Sequence, residues 1–125
     1  MANRFLTLAA LCLFLAVGLG AFGAHGLRGR IDEAALAVYQ TAVQYQFWHG
    51  LGLALVAILS RHDPGSRLLC WSGWLLVAGI ALFSGSLYLL VASGARGFGA
   101  VTPVGGLSFL AAWLVLVVYA WRRWK

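Results

Sequence analysis

Carboxylates are scarce in this chain. Only Asp32, Glu33 and Asp63 occur among 125 residues. All three lie between long uncharged runs, so no acidic group stands at membrane depth. Small four-helix exporters that couple cations to protons need an embedded carboxylate, and that activity is excluded. Cysteine is nearly as rare. Cys12 and Cys70 are far apart and form no Cys-x-x-Cys pair, so neither a disulfide framework nor a thiolate metal site is expected. Each reads as a small apolar residue. No Ser/His/Asp or Cys/His set is convincingly placed, so no catalytic residues are assigned and no enzyme activity is expected.

What fills the chain instead is apolar sequence. Four stretches without a formal charge, Phe5–Leu27, Ala34–Ser60, Leu68–Ala95 and Gly97–Trp121, take up almost its whole length. About 20 mostly apolar residues cross a bilayer as a helix, and each stretch is long enough. With 62% hydrophobic residues, 10% charged residues and a mean hydropathy of +0.89, a water-soluble surface cannot be built. The expected fold is all-α: a polytopic, four-helix transmembrane bundle forming one domain over residues 1–125, with spans near 5–26, 38–60, 68–93 and 103–121. The first run has the look of a secretory signal, with Arg4 ahead of an apolar segment. It continues past the usual length of such a segment, so a retained signal anchor is expected.

The net charge of +6 does not point to nucleic acid. The bases flank apolar spans, where they set topology and meet anionic headgroups. One side collects Arg4, Arg61, Arg67, Arg122, Arg123 and Lys125; the other has Arg28, Arg30 and Arg96. That bias places both termini in the cytoplasm.

Local signals mark the helix ends. Asp32 is an expected N-cap, with Glu33 in the first turn. Arg61-His62-Asp63-Pro64-Gly65 breaks the second helix. Thr102 is expected to cap the fourth span, with Pro103 at its first position. Ala16, Gly20 and Ala24 recur every four residues, a small stripe suited to close helix contact. Gly85, Gly105 and Gly106 are further packing candidates.

Polar side chains within the spans gather toward the half that bears the Arg28 and Arg96 loops: His25, Gln40, Gln44, Tyr45, Gln46, His49, Ser84, Ser86, Tyr88 and Thr102. At a rise of 1.5 Å per residue, His49 lies ~16 Å from Ser60, near mid-membrane. Gln46 and Tyr45 stand three and four residues before it and share its side of the helix. Gln40 and Gln44 form a pair on another face. Such groups should turn inward and bond one another, with His49 near Gln46 and polar groups of span 1 or 3. They form either an outward-opening pocket for a ligand or a set of interhelical hydrogen bonds, and both readings stand. For metal or haem, His25 and His49 could offer imidazoles, but no acidic or thiolate partner is evident at their level. No metal or cofactor is assigned.

Four motifs occur in order: Gly20-Ala21-Phe22-Gly23-Ala24-His25, Tyr45-Gln46-x-x-His49, Leu82-Phe83-Ser84-Gly85-Ser86-Leu87-Tyr88 and Thr102-Pro103-Val104-Gly105-Gly106. Together they resemble the small membrane-protein family catalogued as domain of unknown function number 423, related to eukaryotic transmembrane protein 256. The resemblance implies a four-helix, multi-pass protein of a bacterial inner membrane, and brings no activity, substrate or catalytic residue. The first expectation is therefore a non-enzymatic interaction or accessory protein, whose partners are the lipid bilayer and a homo-oligomer or larger membrane complex. One alternative is a small carrier or ligand-binding protein with an outward polar pocket around His49. Another is a histidine-ligated metal or haem protein.

Overall fold

The computed structural model describes residues 1–123. Helix α1 (Ala2–Phe22) runs on into a π-helical turn, Gly23–Leu27. Helix α2 (Glu33–His62) follows a tight loop in which Gly29 takes a positive φ of 83°. Asp32 caps α2 as its sequence indicates: its Oδ1 accepts from the Ala35 amide at 2.7 Å. The third span is α3 (Arg67–Gly79), a π-helical turn (Ile80–Ser84) and α4 (Gly85–Ser93) in one continuous run. Ser66 caps its start, accepting from the Leu69 amide. Gly94, left-handed at φ 68°, ends it. A 3₁₀ turn (Arg96–Ala100) leads into α5 (Thr102–Arg123).

Four segments are long and apolar enough to cross a membrane: Ala2–Leu27, Glu33–His62, Arg67–Ser93 and Arg96–Arg123. Most of their surface faces outward. Phe14, Leu110 and Trp121 are 76%, 68% and 75% exposed, as lipid-facing residues are. Helix α1 packs along α2, and α3 packs along α5.

The apolar core lies toward the end where α1 begins and α5 finishes. Phe5 and Ala9 of α1 meet Leu53, Val56 and Ala57 of α2, Leu69 and Leu76 of α3, and Ala112 and Tyr119 of α5. Aromatic rings occupy places left by glycine: the Phe5 ring lies on Gly73, Phe109 on Gly79 and Trp113 on Gly52. Without a hydrophobic drive between helices in lipid, such close contacts supply the packing energy. At the same end, Arg123 Nε stands 3.5 Å from Asp63 Oδ2 and ties the end of α5 to the loop after α2.

The expected packing stripe and helix start need correction. Ala16 is buried, and Gly20 faces Val43, but Ala24 is exposed. At about 100° per residue Ala24 stands roughly 80° from Ala16 while Gly23 stands within about 20° of it, so Gly23, not Ala24, lies against the Tyr39 ring. Gly85 makes no close approach, since a Cβ there would meet nothing within 4 Å. Gly106 is only in ordinary contact range of the Phe83 ring. Gly105 is tightly placed, with the Phe83 backbone directly against it. Thr102 is not the cap of α5. The Val101 carbonyl already accepts from Val104 and Gly105, so Thr102 sits inside the first turn and its hydroxyl is free for another helix.

Candidate functional site

Gln46 is the centre of the polar layer. It is buried on α2, and its two ends serve different neighbours. Nε2 donates to the Cys12 carbonyl of α1 at 2.8 Å, and Oε1 accepts from the Tyr88 hydroxyl of α4 at 2.7 Å. One amide thus ties three spans together. Near it, the Tyr39 hydroxyl donates to the Leu19 carbonyl, and the Tyr39 and Tyr88 rings meet edge to face at 5.7 Å.

The serines extend this layer across the bundle. Ser84, fully buried in the π-helical turn, donates to the Ala42 carbonyl of α2 at 2.7 Å. The Ser86 hydroxyl donates to the Phe83 carbonyl at 2.9 Å. Its single proton is then used, so the Thr102 hydroxyl donates to Ser86 Oγ across the 2.6 Å pair. These bonds hold α4 to α5 beside the Gly105–Phe83 approach.

Other expected members do not join. Gln40 and Gln44 are exposed, lining a shallow groove with Gly20, Gly23 and Ala24 rather than turning inward. At about 100° per residue, Gln44 stands roughly 200° from Gln46, so the buried position of one sends the other outward. His25 is exposed at the end of the first span and makes no hydrogen bond among the described residues.

His49 is buried, but no hydrogen bond joins it to Gln46 or to spans 1 and 3. A carbonyl can only accept, so its Nδ1–H donates to Tyr45 O at 2.7 Å, within its own helix. Phe109 covers one face of the ring, 3.5 Å away between centroids with 14° between planes, and Tyr45 flanks the ring at 5.7 Å, nearly parallel at 15°. Tyr45 in turn stacks on Phe83 at 4.4 Å. Beside this stack runs a groove of about 540 Å³, lined by Tyr45, His49, Phe83, Phe109, Trp113 and the lipid-facing Leu110. That volume is in the range of small-molecule sites.

Two hydroxyl links lie outside the expected cluster. Ser72 donates to the Ala112 carbonyl at 3.0 Å, and Ser108 donates to the Leu75 carbonyl at 2.7 Å, joining α3 and α5 in both directions. Their signal in the chain is Ser72-Gly73 and Gly105-Gly106-Leu107-Ser108, small residues inside apolar runs. Among the described residues, no three of His, Cys, Asp and Glu converge as metal ligands would.

Comparison with known proteins agrees with this architecture. The family described as "Protein of unknown function (DUF423)" matches residues 19–106. The chain is 49% identical to the UPF0382 membrane protein YwdK of Bacillus subtilis (strain 168), over 93% of this chain and 94% of that protein. It is 46% identical to the UPF0382 membrane protein SH2409 of Staphylococcus haemolyticus (strain JCSC1435), over 94% of this chain and 95% of that one. No solved structure matches.

Proposed function

The chain belongs to the family of proteins of unknown function DUF423, and from the hydrogen-bonded polar layer around Gln46 we propose that it is a non-catalytic interaction protein of the membrane. It acts through its outer surface, on lipid and on a homo-oligomer or larger membrane complex. The observation that carries this reading is the fate of the amide and hydroxyls of the polar layer. Gln46, Tyr88, Ser84, Ser86 and Thr102 are all spent on bonds that hold helices together. None is left facing a polar cavity where chemistry could occur. What the protein presents to others is an apolar surface of exposed leucines, phenylalanines and tryptophans.

The same reading places it in a bacterial inner membrane with both termini in the cytoplasm. Six bases against three favour that orientation.

The test is purification from native membranes in a gentle detergent, after brief crosslinking, with mass spectrometry of the captured species. The expected result is one stoichiometric partner or a defined homo-oligomer, lost when exposed residues such as Phe14 or Leu110 are replaced by serine. A chain recovered only as a monomer, with the serine variants indistinguishable, overturns the proposal.

A further inference from the structure

Two residues that line the groove beside His49, His49 itself and Trp113, each hold a polar ring atom with no hydrogen-bond partner among the described residues. His49 is only 7% exposed. Its Nδ1–H is committed to the Tyr45 carbonyl, which leaves Nε2 of the neutral ring as an acceptor. Among the described residues Nε2 has no partner, yet it is not sealed inside the protein as the orphaned Ser60 hydroxyl is. One ring face is covered by Phe109, and Tyr45 flanks the ring at its side. The free acceptor of Nε2 lies in the plane of the ring, so recognition there is by hydrogen bond.

Trp113 supplies the complementary atom. Its ring centroid lies 5.9 Å from that of His49, tilted by 57°, and both residues line the same groove. The indole N–H can only donate, and it too makes no hydrogen bond among the described residues. Trp113 stands near the middle of α5, away from the interface where indole groups find water. An unsatisfied donor and an unsatisfied acceptor in hydrocarbon are both costly. The group that satisfies both at once, donating one bond and accepting another through a single oxygen, is a hydroxyl. The remaining walls, Phe83, Leu107, Phe109 and Leu110, are apolar and suit a hydrocarbon body.

We propose that this groove binds a lipid-soluble alcohol, whose hydroxyl donates to His49 Nε2 and accepts from the Trp113 indole N–H while its hydrocarbon lies along α5. Leu107 and Leu110, 66% and 68% exposed, mark the lipid-facing side from which it enters. The site goes beyond the interaction role above and does not depend on it.

The test uses the full chain in detergent micelles, with nitrogen-labelled histidine and tryptophan followed by NMR. The probes are dodecanol, its methyl ether and dodecane. Dodecanol should move the Trp113 indole signal and the His49 ring signals together. The ether, which cannot donate, and the alkane should bind about tenfold more weakly. Trp113→Phe and His49→Phe should each weaken dodecanol about tenfold and leave dodecane unchanged. Equal binding of the three probes makes the groove a simple acyl-chain slot and overturns the proposal. So does dodecanol binding unchanged in the variants, or no response of the two residues at saturation. Should His49→Phe fail to accumulate, Trp113→Phe and the three probes on the unaltered chain separate the same outcomes.

Discussion

Gly105 of α5 lies directly against the backbone of Phe83, at the point where the third span widens into its π-helical turn. A turn that carries an extra residue bulges toward its neighbour. Here the neighbour has no side chain to obstruct it. The π-helical turn, the Ser84 bond to α2 and the Ser86–Thr102 pair are thus one construction, and Gly105 makes room for it.

Gly105→Ala should therefore destabilise the bundle by about 1–3 kcal/mol, the range for overpacking, because its added methyl would meet backbone rather than a flexible chain end. Gly85→Ala should change stability little or raise it, since its added methyl meets nothing within 4 Å. Unfolding in mixed micelles by added denaturing detergent measures both. Equal stability for the two variants would show that α5 can move aside.

The Gln46–Tyr88 bond should appear as a coupling between two substitutions. Gln46→Leu and Tyr88→Phe each leave a partner unsatisfied, so the double variant should lose less than the sum of the singles. Interhelical bonds in membranes couple by about 0.6 kcal/mol on average, up to about 1.7. Gln46→Leu should cost more than Tyr88→Phe, because it also releases the Cys12 carbonyl. Strict additivity in a double-mutant cycle would mean that the two side chains do not share a bond.

Orientation can be tested apart from packing. A cytoplasmic reporter fused after residue 125 should be active and a periplasmic one silent. Replacing Arg61 and Arg67 by glutamine should weaken that preference, because it reduces the base count on their side from six to four against three. An active periplasmic reporter on the parent chain would reverse the assignment.

Some of this architecture is legible along the chain, and the rest is hidden for identifiable physical reasons. The uncharged runs and the Asp32 cap depend on local chemistry, and both can be read directly. Gln46 can be singled out as a buried polar residue, but its partners Cys12 and Tyr88 lie 34 and 42 residues away, and no spacing rule reaches them. Gln40 and Gln44 group with it by depth alone, and their angular position on α2 separates them from it. The π-helical turns have no proline to announce them, and depend on where the neighbouring helices leave space. Thr102 and Pro103 look like a helix start, yet a 3₁₀ turn feeds the helix from further back and frees the threonine for Ser86. His49 stands out as an ionisable group at mid-membrane. Its surroundings are aromatic because Phe109 and Trp113 of α5 reach it, and neither carries a polar signal that a search for hydrogen-bond partners would notice.

That aromatic setting makes the role of His49 in stability separable from its role in binding. The Tyr45 carbonyl that accepts from Nδ1 also lies in the regular hydrogen-bond ladder of α2, so losing the imidazole does not orphan it. A phenyl ring can keep the stack on Phe109 and the contact beside Tyr45. His49→Phe should therefore cost less than about 1 kcal/mol, in keeping with a shape-conserving exchange. His49→Ala should cost about 2 kcal/mol or more, because Phe109 loses the ring it packs against and a void opens at mid-membrane. Thermal or detergent-driven unfolding of the two variants beside the parent measures the difference. A phenylalanine variant as damaged as the alanine one would show that the hydrogen bond to Tyr45, and not the stacked ring, holds this part of the bundle.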